Sequence, residues 1–437
     1  MNSLNKKKFI FYKIPVFLFS ALPFFLITGP FLADLAVTLC AILFLINSLV
    51  SKYSFLNYYK SIFFKIFIIF WLILVFSSFF SNNIFYSLSS SLPYLRFGFF
   101  TLSTWYLLDC NKNLITYIFY VFIMCFLILI LDGYLQFFTK KNFFGWEIID
   151  TRVSSFFKNE LVLGSYLSRL YPIFFATFIW KYLNDDRKLN FYILLVFFVL
   201  IEVLIFISGE RVAFFYLNLS TFLIIVLAAN FRYLRLASVI LSIVIILLIS
   251  HFKPVYFERV VNKTLDQIII STNDNIENKN TPINLNNVTK KNSIVIFSQE
   301  HQDHYESAWR MFNDNKFFGI GTKLFRKNCN EPKYKITFES CTTHPHNTYM
   351  QLLAENGLFG FGFVFSIFLV LIFYCLKHFY LKTFRKKIFF TDYQVSLLTA
   401  FVITLWPFAP TGNFLNNWLS VIYFLPIGFF LWSFKNR

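Results

Sequence analysis

The segment His344-Pro345-His346-Asn347-Thr348-Tyr349-Met350-Gln351 places two imidazoles at the end of a long hydrophilic stretch and just ahead of an apolar one. An imidazole titrates near neutrality, so at a membrane surface it is suited to take a proton from a hydroxyl. His301 and His304 lie upstream in the same hydrophilic stretch, and the His-x-His and His-x-x-His spacings also suit zinc. These histidines lack the fixed helical spacing of hydrolase zinc sites, which weighs against a metal. Anion binding is the second chemistry on offer. Ser208-Gly209-Glu210-Arg211 joins two apolar runs and sets Arg211 almost at a helix start, where its guanidinium and the free N–H groups of the helix both favour an anion. Arg152, in Asp150-Thr151-Arg152-Val153-Ser154-Ser155, would add a second fixed cation for a diphosphate. Each arginine has an alternative role as an interfacial anchor, and the residues alone do not choose. Trp309-Arg310-Met311-Phe312 leads into Phe318-Gly319-Ile320-Gly321, a Gly-x-Gly bend that is more often a tight turn than a phosphate cradle.

These residues must be positioned by elements that live mostly in lipid. The chain of 437 residues is 57% hydrophobic and 14% charged, against about 45–50% apolar residues in a soluble domain. So few charges cannot cover a water-facing surface. Apolar runs recur that are long enough to cross a hydrocarbon core of about 30 Å as helices. Spans are expected at 9–28, 30–50, 62–81, 88–108, 114–132, 160–181, 190–208, 211–228, 233–251, 352–376, 393–410 and 415–433. The expected fold is an all-α polytopic membrane protein of about twelve transmembrane helices, with one long, partly helical periplasmic loop between the ninth and tenth. Lys6-Lys7-Lys8 resembles a signal-peptide start, but no small-residue cleavage site follows, so the first span is read as retained.

Lysine and arginine gather in alternate connections, and basic short loops stay in the cytoplasm. With both termini inside, the cytoplasmic segments hold most of them, among them Lys52, Lys60, Lys112, Lys181, Arg187, Lys188, Arg232, Arg235, Lys377, Lys382, Arg385 and Arg437. The short outer loops hold Lys140, Lys141, Arg152, Lys158 and Arg211. The formal charge of +18 then reflects topology and anionic lipid headgroups, and no basic soluble face with stacking aromatics argues for nucleic acid. The chain divides into helices over 1–251, with a loop at 133–159, a periplasmic loop domain at 252–351, and helices over 352–437. Within that domain Ser271 to Asn292 is a polar tract, and Tyr305 to Phe312 is amphipathic, with Ala308, Met311 and Phe312 on one face.

Cys40, Cys110, Cys125 and Cys375 fall in or beside spans and act as small hydrophobes. Cys329 and Cys341 both fall in the outer loop. Oxidising surroundings would let them pair, closing a loop worth about 3 kcal/mol in the chain-entropy picture; two free thiols are the other reading. Four charges lie inside spans, Asp34, Arg96, Arg169 and Glu202. Each costs about 2.5–3.5 kcal/mol on insertion scales. They call for ion pairing between helices, or for a polar cavity open to the outer leaflet, and the two are compatible.

Taken in order, Ser208-Gly209-x-Arg211, Phe318-Gly319-x-Gly321 and His346-Asn347-x-x-x-Gln351-x-x-x-Glu355-x-Gly357 resemble the O-antigen ligase and O-antigen polymerase superfamily of bacterial envelope glycosyltransferases, over about residues 150–370. The resemblance implies a glycan donor linked to undecaprenyl pyrophosphate and transfer to a lipid A-core or glycan hydroxyl at the outer face of the inner membrane. It implies that His346 is the base and Arg211 the leading diphosphate clamp, with Arg152 a weaker one, and that no metal or cofactor is required. His344, Asn347, Glu355, Gly319 and Gly321 are the accompanying loop motif. Where relatives commonly carry an arginine about ten residues before the Met-Phe pair, this sequence has His301, so either His301 or Arg310 serves there. Ligase and polymerase share these motifs. A lipid-linked oligosaccharide transporter is the reading from another class, but a transporter spreads its polar residues through both membrane halves; an inert scaffold would leave His346 and the arginines replaceable.

Overall fold

The computed structural model describes residues 9–50, 52–184, 191–262, 264–265 and 298–435. Lys6 to Lys8, Arg187, Lys188, Arg437 and the polar tract Ser271 to Asn292 lie outside the described residues. Among those described the regular structure is helical, apart from isolated antiparallel bridges joining Lys141 to Glu147 and Ile149 to Arg152. The main helices are α1 (Ile14–Ser20), α2 (Leu22–Thr28), α3 (Pro30–Val50), α4 (Lys52–Tyr59), α5 (Ile62–Phe79), α6 (Ile84–Ser91), α7 (Leu95–Cys110) and α8 (Leu114–Thr139). After the 140–152 hairpin come α9 (Leu163–Asn184), α10 (Phe191–Ile207), α11 (Arg211–Leu227) and α12 (Arg232–Phe252), then α13 (Gln299–Asp314), α14 (Thr348–Phe384), α15 (Asp392–Thr404) and α16 (Asn417–Lys435).

Helix is present in each of the twelve predicted segments. By length and composition, six described helices can cross a membrane: α3, α5, α8, α12, α14 and α16. The pair Ile10–Ser20 and Leu22–Thr28, bent by 54°, makes a seventh if taken as one broken span. Helices α10 and α11 are apolar but shorter. The protein is a multi-pass membrane protein, and its packing suits one. Outward faces of α12 and α14 carry Ile240, Val244, Leu247, Leu248, Val370 and Phe373, all exposed. Between helices the filling is aromatic, as in Phe119 stacked on Phe174 at 5.8 Å and Phe97 on Phe424 at 5.5 Å. Lipid tails are as apolar as these rings, so close packing rather than water exclusion holds the bundle.

Several predicted boundaries move, each for a local reason. Residues 9–28 break before Pro23, and 88–108 divides into α6 and α7 at the Leu92–Tyr94 turn, which contains Pro93; proline lacks the N–H a continuous helix needs. Helix α8 runs on to Thr139, beyond the predicted end at 132, because Asp132 and Gln136 find loop partners. Asp132 accepts from Phe143 N–H at 2.8 Å and Ser155 Oγ–H at 2.6 Å, and Gln136 Oε1 accepts from the N–H groups of Ser154 and Ser155. Helix α15 stops at Thr404, short of the predicted 410, with Pro407 and Pro410 following. Helix α14 starts at Thr348 and is broken at Gly357, which has φ 63° and ψ −159°.

Three of the four intramembrane charges are paired. Asp34 accepts from Arg96 at 2.7 Å and from Asn417 Nδ2 at 3.0 Å. Glu202 pairs with Arg235 and accepts from Ser238 at 2.9 Å and Ser242 at 2.7 Å. Arg235, read from the sequence as a cytoplasmic surface charge, is instead fully buried; three residues into α12, its long side chain reaches the carboxylate that would otherwise stand alone in the bundle. The fourth charge, Arg169, has no carboxylate partner among the described residues and lies 4.7 Å from the Tyr216 ring centre.

Candidate active site

The site is built where α13, the start of α14, the turn between α10 and α11, and the irregular stretch 405–416 come together. Ser298 begins α13 by accepting from the N–H of His301 at 3.3 Å, an N-cap that frees the helix to run through sixteen residues. Ala308 and Met311 are fully buried and Phe312 nearly so, as the amphipathic pattern predicts. That face holds His301 and His304 against the segment leading into α14.

Asn347 is the N-cap of α14, its Oδ1 accepting from the N–H groups of Tyr349 at 2.9 Å and Met350 at 3.1 Å while its Nδ2 donates to Pro407 O at 2.9 Å. His346 precedes it with φ 53°, a left-handed conformation uncommon outside glycine. Its carbonyl is fixed by the N–H of Thr411 at 2.8 Å, and His344 Nε2 lies 3.2 Å from the Thr411 carbonyl. Thr411 therefore holds both histidines of the motif through its backbone.

The result is a cluster of four imidazoles. The His346 ring centre lies 4.2 Å from His344, 5.2 Å from His304 and 5.5 Å from His301, and His301 lies 6.2 Å from His304. Among the described residues no protein group hydrogen-bonds the His346 ring, and no group of three or more His, Cys, Asp or Glu is arranged to hold a metal ion. Burial pulls the His346 pKa down to about 4, with His301 and His304 adding to the effect and Glu300 opposing it. His301 is likewise pulled to about 4 by burial, then by His304 and Arg211. His344 falls to about 3, mainly by burial and then by His346. The His301, His344 and His346 rings are thus neutral at physiological pH, and that of His346 has a lone pair available to take a proton.

The arginines surround one turn. Gly209, at φ +67°, leaves room for two stems: a Cβ there would sit 3.0 Å from Arg152 Cγ and 3.0 Å from Arg259 Cδ. Arg152 donates to Leu161 O at 2.9 Å, and Arg259 donates to Asp150 O at 3.0 Å and Gly209 O at 3.3 Å. Arg211 follows as the first residue of α11 and acts electrostatically on both Arg152 and His301. Three guanidiniums therefore converge at a helix N-terminus beside the histidines, an arrangement that favours a polyanion. Glu210 offsets part of this charge through Arg152, while its carboxylate accepts from Gly164 N–H at 2.6 Å and Ser165 N–H at 3.0 Å and ties α9 to the turn.

Other residues of the motif lie elsewhere. Arg310 pairs with Glu306 at 2.7 Å on the far face of α13 from His301. Gly319 packs on the break in α14, where a Cβ would meet the Glu355 carbonyl carbon at 2.4 Å, and a Cβ on Gly357 would meet Phe317 C at 2.4 Å. Gly321 lies against Ser81. Main-chain bonds from Ile320 N to Ala354 O, Gly321 N to Glu355 O and Leu358 N to Lys316 O join the two segments. The buried Glu355 carboxylate accepts from Phe325 N–H at 3.3 Å and Gln351 Nε2 at 3.0 Å. Cys329 and Cys341 form a disulfide with Cα atoms 5.0 Å apart. These groups brace the loop, whereas the histidines and arginines face open chemistry.

Arg259 and Thr411 are absent from the sequence-based set. Arg259 follows the ninth predicted span by a few residues and carries no motif. Thr411 acts through its backbone, which no side-chain pattern reveals. No curated protein matches the chain. Residues 194–365, the stretch running from α10 through the arginine turn and the histidine cluster into α14, match the family model for O-antigen ligase, a match that supports the O-antigen ligase and polymerase superfamily.

Proposed function

We propose that this protein moves a glycan from an undecaprenyl-pyrophosphate-linked donor to an acceptor hydroxyl at the periplasmic face of the bacterial inner membrane, as an O-antigen ligase with lipid A-core as acceptor. The family matched over residues 194–365 is of glycosyltransferase type and works on lipid-linked glycans and their acceptors in general. The observation that carries the finer reading is the unbonded, neutral His346 ring held among three other imidazoles, with Arg211 in electrostatic reach of that cluster. His346 takes the proton of the acceptor hydroxyl. The oxygen then forms the bond to the anomeric carbon as the bond from that carbon to the diphosphate breaks, and the electron pair leaves on the phosphate oxygen. Arg211, with Arg152 and Arg259 beside it, stabilises the departing charge without reorganising. His301 takes the position next to the base that the resemblance gives to an arginine, and Arg310 serves the outer surface of α13.

In this reading about twelve helices cross the membrane, the 252–351 loop is periplasmic and both termini are cytoplasmic. The bias of basic residues toward one side supports that orientation, even with Arg235 taken out of the count. The test is deletion of the gene followed by gel analysis of surface polysaccharide, with complementation by wild type and by His346→Ala. Loss of all attached chains, with lipid-linked polymer accumulating, is the ligase outcome; a single attached repeat unit would mean a polymerase. His346→Ala should insert into the membrane at normal levels and fail to complement, and full complementation would remove His346 from the base role.

A further inference from the structure

Beneath the histidines the bundle holds polar groups that are left without good hydrogen-bond partners among the described residues. Arg169, in the second turn of α9, is only 4% exposed, and among the described residues its Nη1 has no hydrogen-bond partner. The same holds for the hydroxyls of Tyr216 in the second turn of α11, Tyr305 on α13 and Tyr423 on α16. These groups are neighbours. The Arg169 guanidinium lies 4.7 Å from the Tyr216 ring centre, Tyr216 is in electrostatic reach of Tyr305, and Tyr423 feels both Arg169 and Tyr216. The Tyr305 ring in turn lies 6.3 Å from that of His301. Arg169 and Thr411 interact with the Tyr216 and Tyr423 hydroxyls only weakly, outside good hydrogen-bond geometry, so a line of undersatisfied donors runs from the histidine cluster down into the membrane.

A cation without a counter-charge inside a bundle is costly, as is each buried hydroxyl without a partner, and such groups persist where something else completes them. A guanidinium only donates hydrogen bonds and a phenol readily does, and no carboxylate stands among them. The set fits an anion with several acceptor oxygens. Its depth narrows the choice. Tyr216 lies five residues beyond Arg211 on the same helix, about 7.5 Å further along its axis, too deep for a freely dissolved ion but natural for a phosphate carried on a lipid.

We propose that Arg169, with Tyr216, Tyr305 and Tyr423, forms an inner anion subsite that takes the lipid-side phosphate of a polyprenyl diphosphate, below the arginine turn that takes the sugar-side phosphate. The proposal rests on the glycan-transfer reading and extends it. When the anomeric C–O bond breaks, its electron pair stays with the sugar-side phosphate oxygen, so the leaving lipid diphosphate carries one more negative charge than it did in the donor. A second level of cation then holds the product lipid as well as the donor, and its release becomes a distinct step.

The test uses the full-length protein in lipid nanodiscs and measures equilibrium binding of undecaprenyl diphosphate, undecaprenyl monophosphate, inorganic pyrophosphate and short-chain phosphatidylglycerol. Arg169→Gln should weaken undecaprenyl diphosphate about 10–100-fold and leave inorganic pyrophosphate within about twofold, because the latter needs only the outer arginines. Tyr216→Phe, which removes one hydroxyl and little volume, should weaken the lipid diphosphate several-fold. Wild-type affinity in a folded Arg169→Gln overturns the subsite. Equal losses for phosphatidylglycerol also overturn it, by showing a general headgroup site. Should Arg169→Gln fail to fold, wild-type affinity in both Tyr216→Phe and Tyr423→Phe overturns it. Failure of the wild-type protein to bind undecaprenyl diphosphate at all would instead remove the glycan-transfer reading on which the subsite stands.

Discussion

Acidity is the sharpest probe of the histidine cluster. An imidazole with an ordinary pKa of about 6.5 would be roughly one-tenth in its base form at a pH of about 5.5, whereas a group titrating near 4 would be about 97% in that form. His346 is pulled to about 4, first by burial and then by His301 and His304, with Glu300 opposing. The expected advantage at mildly acid pH is therefore about tenfold in available base. The assay is transfer by purified protein in nanodiscs, from a lipid-linked donor to a soluble acceptor mimic, followed across the acid range. Because kcat/KM reports the free enzyme, its acid limb should fall near 4. The limb of kcat should lie higher, since a bound diphosphate favours the imidazolium. His301→Phe keeps the site covered and removes one neighbour, so the kcat/KM limb should rise by less than about one unit. A limb between about 6 and 7 in the wild type would refute the argument, because it would mean an ordinary, solvated histidine. The same linkage has a sign for stability. Histidines depressed in the fold refuse protons that the unfolded chain accepts, so stability is full above about 6.5 and declines as pH falls toward about 4.

Arg211→Lys should retain binding but lose much of the transfer rate, since an ammonium lacks the planar fork that grips two phosphate oxygens; full activity would mark Arg211 as a point charge or an anchor. Gly319→Ala should lower stability by more than about 3 kcal/mol, read as a fall in thermal unfolding temperature in detergent, because the new Cβ would lie 2.4 Å from backbone at a positive φ. Glu202→Leu should cost about 3–5 kcal/mol by stranding Arg235, and the double variant with Arg235→Leu should recover most of it. Equal losses in the single and double variants would show that the pair is not coupled.

What could be read beforehand follows from periodicity. Apolar runs announced the helices, and the spacing of Ala308, Met311 and Phe312 announced the buried face of α13. The same arithmetic separates His301 from Arg310, since nine residues advance a helix by about two and a half turns and so reverse its face. Breaks were less legible. Gly357 sits inside a continuous apolar pattern, and only its main-chain fit against Phe317 shows why the helix must turn there. Charge counting treated Arg235 as surface because the rule sees distance from a span end and not the reach of a side chain. Arg259 escaped because its role depends on meeting Gly209, fifty positions earlier, and no local signal encodes such a meeting.

The join between the outer layer and α14 is made largely of main chain. Ile320, Gly321 and Leu358 are held through their N–H groups, and Ser77 Oγ–H reaches the carbonyls of Phe318 and Glu355. Main-chain bonds are indifferent to which side chains the loop displays. The exposed surface of α13, with Glu306, Trp309 and Arg310, is therefore free to diversify while His301 and His346 keep their places. One scaffold can in this way face many differently shaped polysaccharides, changing its outward appearance without retuning its chemistry.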